Sequence, residues 1–312
     1  MRPIVWERLV NPRRGEEPAL AALIEGLRQG GPNFADDPVK ARADFEETLA
    51  MVPVAEDLVF TPGELGGIPA LHGTYPGADP EAVLVYVHGG AFIAGSAYGY
   101  RALAGELARA GGLTLWSIDY RLAPEHPFPA ALDDCINAYR ALLEQGIAPE
   151  KIVLAGDSAG GGLVLSMLIG LREAGDPLPA AALPISPWAN LLCDGSTYET
   201  NAEADASLTA EGLLTAAIAY MAGNDARNPY ASPVFGGLHG LPPLLIQVGS
   251  AELLLEDAIR IAANAATSGT PVRLDVWPNM PHVFLAFNFM LEAGKLAIED
   301  AGTFMRQSLG RA

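Results

Sequence analysis

The chain has 312 residues, enough for one large domain or two small ones, and 50% of them are apolar, ample for a sizeable core. A formal charge of −18 argues against nucleic acid and against anionic membrane surfaces as partners, since both demand cationic contacts. Two cysteines, Cys135 and Cys193, make no disulfide scaffold, and two free thiols in a reducing compartment are expected.

In chain order, Met1-Arg2-Pro3-Ile4-Val5-Trp6-Glu7-Arg8 lacks the apolar stretch of a signal peptide. No later run approaches the length of a membrane span, so a cytoplasmic protein is expected. Two helical stretches follow: Pro18–Gln29, and one from Pro38 with Asp37 as its N-cap. Val54–Thr61 and Ile68–Tyr75 predict a strand pair joined by the turn Gly63-Glu64-Leu65-Gly66-Gly67. Ala82–Val87 is a continuous apolar run, the pattern of a strand buried on both faces. A helix over Tyr98–Ala110 and a strand over Leu113–Ile118 come next. Pro129–Gln145 is helical, with Leu132, Ile136, Tyr139 and Leu143 at three-to-four spacing. The series continues with strand Ile152–Ala155, helix Ser158–Glu173 and strand Ala180–Ile185. It ends with strand Leu244–Val248, helix Leu253–Thr267, strand Val272–Trp277 and a helix near Leu291–Leu309. Strands alternating with helices of this length predict a mostly parallel sheet flanked by helices, an α/β class. Residues 190–241 interrupt the alternation with one helix, from the N-cap Thr209 to Met221, and a turn-rich stretch, as lids over sites often do.

Chemistry enters at Gly156-Asp157-Ser158-Ala159-Gly160, between a strand-like run and a helix of small residues. That is the pattern of a nucleophile elbow, a serine on a tight strand-to-helix turn at a helix N-terminus. The motif is weak alone in a chain with 34 glycines, and it needs a base, an acid and oxyanion donors. In a hydrolase of this kind the order is Ser, then Asp or Glu, then His. Only His239 and His282 follow Ser158; His239 lies in a Gly/Pro-rich loop before a strand, whereas His282 follows the last strand. Glu252 is the first carboxylate after the strand Leu244–Val248. It is favoured as the acid over Asp257, which falls inside the next helix, and over Asp275, which falls within a strand. His88-Gly89-Gly90-Ala91-Phe92 directly follows a core strand, where glycine lets backbone N–H groups face a site, and Ala159 adds the N–H after the serine.

Four blocks together resemble the signatures of the hormone-sensitive-lipase family, within it the bacterial carboxylesterases of the GDSAG type. They are His88–Phe92, Asp119-Tyr120-Arg121-Leu122-Ala123-Pro124-Glu125, Gly156–Gly161 and Met280-Pro281-His282-Val283-Phe284. The resemblance runs from about residue 50 to the end and implies an α/β-hydrolase core formed by 51–189 and 242–312. It implies a helical cap from 1–50 and 190–241, and cofactor-free hydrolysis of short acyl esters, small molecules of about acetyl to octanoyl length. Carried over by position, Ser158 is the nucleophile and His282 the base, while Gly89, Gly90 and Ala159 supply the oxyanion N–H groups. The family usually has aspartate where Glu252 stands. The Asp119–Glu125 block and His88 are expected to brace the oxyanion loop and elbow. Phe92, Trp188 and Tyr120 are candidates for lining the substrate pocket, and no metal is called for. Relatives are often dimers through the sheet edge, so a homodimer is the expectation. Three alternatives stay open: a ligand receptor on the same scaffold, an amidase or lactonase, and a nucleotide-binding α/β enzyme. The last lacks a G-x-G-x-x-G after Ala82–Val87.

Overall fold

The structure, a computed structural model, describes residues 16–311; Met1–Arg8 and the rest of the first fifteen residues lie outside the described residues. Its strands are β1 (Val59–Leu65), β2 (Ile68–Thr74), β3 (Asp79–Val87), β4 (Leu113–Ile118), β5 (Ile152–Asp157), β6 (Ala181–Ile185), β7 (Leu244–Gly249) and β8 (Val272–Trp277). They form one sheet in the order β1-β2-β4-β3-β5-β6-β7-β8. β2 runs antiparallel to both β1 and β4, and every pairing from β4 to β8 is parallel.

Parallel strands need crossovers, and the helices supply them on both faces. The helices are α1 (Glu17–Gly30), α2 (Pro38–Ala50), α3 (Arg101–Gly111), α4 (Ala130–Glu144), α5 (Ala159–Ala174), the single turn α6 (Thr197–Thr200), α7 (Ala210–Met221), α8 (Leu255–Thr267) and α9 (Glu292–Ser308). The alternation of side chains along β3 and β5 divides the core in two. Val83, Val85, Val87, Ile152 and Leu154 join α4, α5 and α8 on one face. Leu84, Tyr86, Val153 and Ala155 join α3 and α9 on the other. Both faces are covered, which is why the central strands read as unbroken apolar runs. Each fully buried aliphatic side chain contributes about 1.5–3 kcal/mol.

The hairpin departs from the expectation. β1 starts at Val59 and runs on through Gly63 to Leu65, leaving Gly66-Gly67 as a two-residue turn with φ of 60° and 80°. Two successive positive φ values match the right-handed twist of the strands, so only the last two glycines are needed for the turn. Pro62 is tolerated because β1 is an edge strand. A 3-10 turn over Phe284–Phe287 had no counterpart in the periodicity. No described helix is long and apolar enough to cross a membrane.

The topology brings the loops after β3, β5, β6, β7 and β8 to one edge of the sheet, the C-terminal ends of the parallel strands. α2 is fastened beside them by Arg42. Its guanidinium donates to the Ile93 carbonyl at 2.7 Å, to the Ala123 carbonyl at 2.9 Å and to both Glu125 carboxylate oxygens at 2.9 and 2.6 Å.

Candidate active site

β5 ends on Asp157 and α5 begins at Ala159, so the chain turns on Ser158, at φ 53° and ψ −122°. A residue with a Cβ holds such a conformation only where its surroundings impose it. Contact with β3 explains the glycines on either side. A Cβ on Gly156 would lie 2.6 Å from the Val87 carbonyl oxygen. One on Gly160 would collide with that oxygen and come within 2.5 Å of the His88 oxygen. The elbow presses against the end of β3, and side chains at these two positions would push it away.

His282 and Glu252 meet at this edge. His282 Nδ1–H donates to Glu252 Oε2 at 2.7 Å, and the acid is fully buried. The other oxygen, Oε1, accepts from the Ser186 hydroxyl at 2.7 Å and from the Gly249 N–H at 2.6 Å. Burial tends to lower the imidazole pKa, but the charge and hydrogen bond of Glu252, with Asp205 and Asp157 beyond, raise it above the usual histidine value. Burial holds the Glu252 carboxyl above the usual carboxylate range, opposed by His282, Ser186 and Gly249. With Nδ1 engaged, Nε2 is the nitrogen left for proton transfer.

Asp257 is elsewhere. Its Oδ2 accepts the N–H groups of Ala189 and Asn190 at 2.9 Å each and the Tyr198 hydroxyl at 3.4 Å, while Oδ1 has no partner among the described residues. Burial pushes its pKa up to about 8 against the pull of those two N–H groups. It supports the loop after β6, with burial disfavouring its charged form.

The oxyanion loop differs from the expectation at one residue. The Gly89 N–H donates to Asp157 Oδ1 at 3.0 Å, so it does not face the site. The next residues, Gly90, Ala91 and Phe92, have φ of 112°, 54° and 62°. Among the described residues no acceptor is found for the N–H of Gly90 or Ala91. Ala159, at the first position of α5, has no intrahelical acceptor either. The N–H groups of Gly90, Ala91 and Ala159 are thus without an acceptor among the described residues, as is that of Phe92.

Asp157 is the reason for that shift. Fully buried, it accepts from the Tyr86 hydroxyl at 2.7 Å and the Tyr100 hydroxyl at 2.9 Å in addition to Gly89. Burial pushes its pKa up to about 6, with the two tyrosines, His282 and Gly89 opposing. A Cβ on Gly89 would collide with this carboxylate. The bracing role of the Asp119–Glu125 block is visible as well. Tyr120 donates to the His88 carbonyl at 2.8 Å, the Ala123 N–H to the Phe92 carbonyl at 3.0 Å, and Asp119 accepts from the Ala97 N–H at 2.6 Å. The His88 ring lies between Tyr120 and Tyr100, with centroids 4.2 and 5.8 Å away, and burial lowers its pKa, so it stays neutral.

Ser158, His282 and Gly90 share one cleft that opens to solvent. Its walls are apolar: Leu27, Phe34, Phe45 and Leu49 come from α1, α2 and their connection, Leu208 from the stretch before α7, and Phe287 from the 3-10 turn Phe284–Phe287. The three residues expected to line a pocket do not. Phe92, Trp188 and Tyr120 are at most 3% exposed and lie in the core behind the oxyanion loop. Phe92 stacks on Tyr220 at 4.0 Å and meets Trp188 at 5.4 Å, while Tyr120 covers His88. Large aromatic residues near the motifs serve packing, and the cleft is lined by helices that carry no motif. Ser186 lies outside every motif, and Asp157 stands inside one without a role that its spacing reveals. Ser186 could have been found as the first residue after a core strand at the same sheet edge.

A model of the alpha/beta hydrolase fold family matches residues 84–286. The acetyl-hydrolase of Streptomyces hygroscopicus is 47% identical over 235 residues, 75% of this chain and 79% of that protein. A crystallised esterase of the bacterial hormone-sensitive lipase family superposes with a TM-score of 0.91 at 40% identity, covering 94% of this chain and 99% of its own. The chain belongs to the α/β-hydrolase fold family, in its bacterial hormone-sensitive-lipase branch. It is an esterase of that branch. A further relative, the esterase of Acinetobacter venetianus, is 36% identical over 73% of this chain and 75% of its own length.

Proposed function

We propose that this esterase hydrolyses short-chain acyl esters with Ser158 as nucleophile, His282 as base and Glu252 as the orienting acid. One observation carries the reading. A strained serine, a carboxylate-bound histidine and unclaimed backbone N–H groups belong to a single apolar cleft.

His282 Nε2 takes the hydroxyl proton as Ser158 Oγ attacks the ester carbonyl carbon. The carbonyl oxygen becomes an oxyanion held by the N–H groups of Gly90, Ala91 and Ala159, donors preorganised for charge that exists only in the transition state. Glu252 keeps Nδ1 protonated and stabilises the imidazolium. The tetrahedral intermediate collapses, the imidazolium protonates the alkoxide, and alcohol leaves an acyl-Ser158 ester. Water, deprotonated by the same nitrogen, then attacks and releases the carboxylic acid with Ser158 restored.

The short-acyl preference is supported by the acetyl-hydrolase among the relatives and by the apolar cleft walls. The N-terminal helices and the 190–241 segment act as the cap over this cleft. Ser158→Ala should keep the fold, as judged by circular dichroism, and abolish turnover of p-nitrophenyl butyrate. Undiminished hydrolysis in that variant would overturn the reading.

A further inference from the structure

Asp205 stands outside every motif, in the irregular stretch between α6 and α7. It is 7% exposed, and both of its oxygens are used. Oδ1 accepts the N–H groups of Ser207 and Leu208, each at 2.9 Å. Oδ2 accepts the N–H of Leu253 at 2.8 Å. Ser207 and Leu208 line the cleft, and Leu253 directly follows Glu252. One carboxylate thus ties a wall of the substrate cleft to the turn that carries the acid.

Neighbouring bonds fasten the same turn from the same segment. Asn201 Nδ2 donates to the carbonyls of Ser250 and Glu252 at 3.1 and 2.8 Å, and the Thr197 hydroxyl donates to the Leu253 carbonyl at 2.6 Å. Asn201 and Thr197 supply hydrogen bonds without charge, whereas Asp205 adds a third carboxylate whose field reaches His282.

We propose that Asp205 is a positioning residue of the active site, holding Glu252 against His282 and the Ser207–Leu208 wall against the substrate. The charged groups facing His282 are Glu252 from the turn after β7, Asp205 from the 190–241 segment and Asp157 from the end of β5. Replacing Asp205 therefore removes one of three negative charges that favour the imidazolium, and also loosens both loops.

The inference rests on the proposed roles of Ser158, His282 and Glu252. It is tested with Asp205→Asn, Asp205→Ser and Asn201→Ala, each normalised to competent sites by titration with diethyl p-nitrophenyl phosphate. Asparagine keeps an acceptor for the Ser207 and Leu208 N–H groups but turns an amide N–H towards the Leu253 N–H. Serine keeps a shorter acceptor and covers the case in which Asp205→Asn does not fold. Either Asp205 variant should lower kcat/KM for p-nitrophenyl butyrate about tenfold, the loss of roughly one charged hydrogen bond. It should also move the acidic limb of the pH profile down by about half a unit. Asn201→Ala should lower kcat and leave that limb in place. Wild-type kcat/KM per titrated site in both Asp205 variants, or a tenfold loss with an unmoved limb, would overturn the proposal. Ser158→Ala, run alongside, separates the two ideas: if it retains turnover, the catalytic reading itself has failed.

Discussion

Glu252→Gln isolates the acid. Glutamine can keep both bonds at Oε1, to the Ser186 hydroxyl and the Gly249 N–H, at 2.7 and 2.6 Å in the parent. At the other position it presents an amide N–H to His282 Nδ1 in place of the carboxylate oxygen that stands 2.7 Å away. The imidazole must then accept at Nδ1, which moves its proton to Nε2, the nitrogen that has to receive the Ser158 proton. Removing one charged partner from a buried pair costs about 3–5 kcal/mol, felt here when the imidazolium forms. At about 1.4 kcal/mol per factor of ten, kcat should fall by about 10² to 10⁴. KM should change little, because Glu252 does not line the cleft. Initial rates with p-nitrophenyl butyrate, on protein whose Tm has been checked, read both constants. Asp257→Asn is the control. A carboxyl with a pKa of about 8 is mostly neutral at pH 7, so asparagine mimics it and activity should stay near the parent's. A loss below tenfold in Glu252→Gln, or an equal loss in Asp257→Asn, would refute the assignment.

The same Asp257 variant makes a stability prediction. Its pKa is raised in the fold, so the proton-linked stabilisation is full below the usual carboxylate value and is lost as pH rises towards about 8. Asp257→Asn should lack that loss, so its Tm should gain on the parent's between pH 4 and 8, and parallel Tm–pH curves would contradict this. For catalysis, His282 is raised by Glu252, Asp205 and Asp157 despite burial, so kcat/KM should fall as pH drops through a value above the ordinary imidazole pKa. An inflection below that ordinary value would count against it. Asp157→Ala frees the Gly89 N–H and should cost about ten- to a hundredfold in kcat, equal to a charged hydrogen bond of about 1.5–3 kcal/mol. Asp157→Asn should recover part of it, and affinity for a trifluoromethyl ketone, which forms the tetrahedral adduct, should track kcat in both. Phe45→Ala removes a wall ring that contacts Phe34 and Tyr100 edge-on at 5.8 and 6.0 Å. It should shift preference towards longer p-nitrophenyl esters at a stability cost of about 2 kcal/mol, below that of a fully buried ring; an unchanged chain-length profile would show that this wall does not select.

Much of the site was legible because its parts sit where local rules are strict. Gly156 and Gly160 are required by contact with β3, and a strand–turn–helix pattern reveals such a constraint without coordinates. Glu252 was favoured over Asp257 by its place directly after a strand, and the hydrogen bond to His282 agrees with that choice. Gly89 departs from the expectation because the sequence shows which residues lack side chains but not where an N–H points. A carboxylate from β5 claims that N–H, which leaves the N–H of Ala91 without an acceptor among the described residues. Phe92, Trp188 and Tyr120 depart from the expectation for a related reason. Proximity to a motif does not say which side of the loop a ring falls on, and all three fall on the core side.

The order of apolar runs and helices was enough to determine the parallel sheet, since burial on both faces leaves an unbroken apolar pattern. The same local chemistry singled out Ser158, His282 and the first carboxylate after β7 as candidates. Only the tertiary structure decided the rest: that Asp157 claims Gly89, that Ser186 and Asp205 hold the acid turn, and that α1 and α2 wall the cleft. These are contacts between segments far apart in the chain. They depend on directions of bonds and faces of helices, which one-dimensional spacing does not carry.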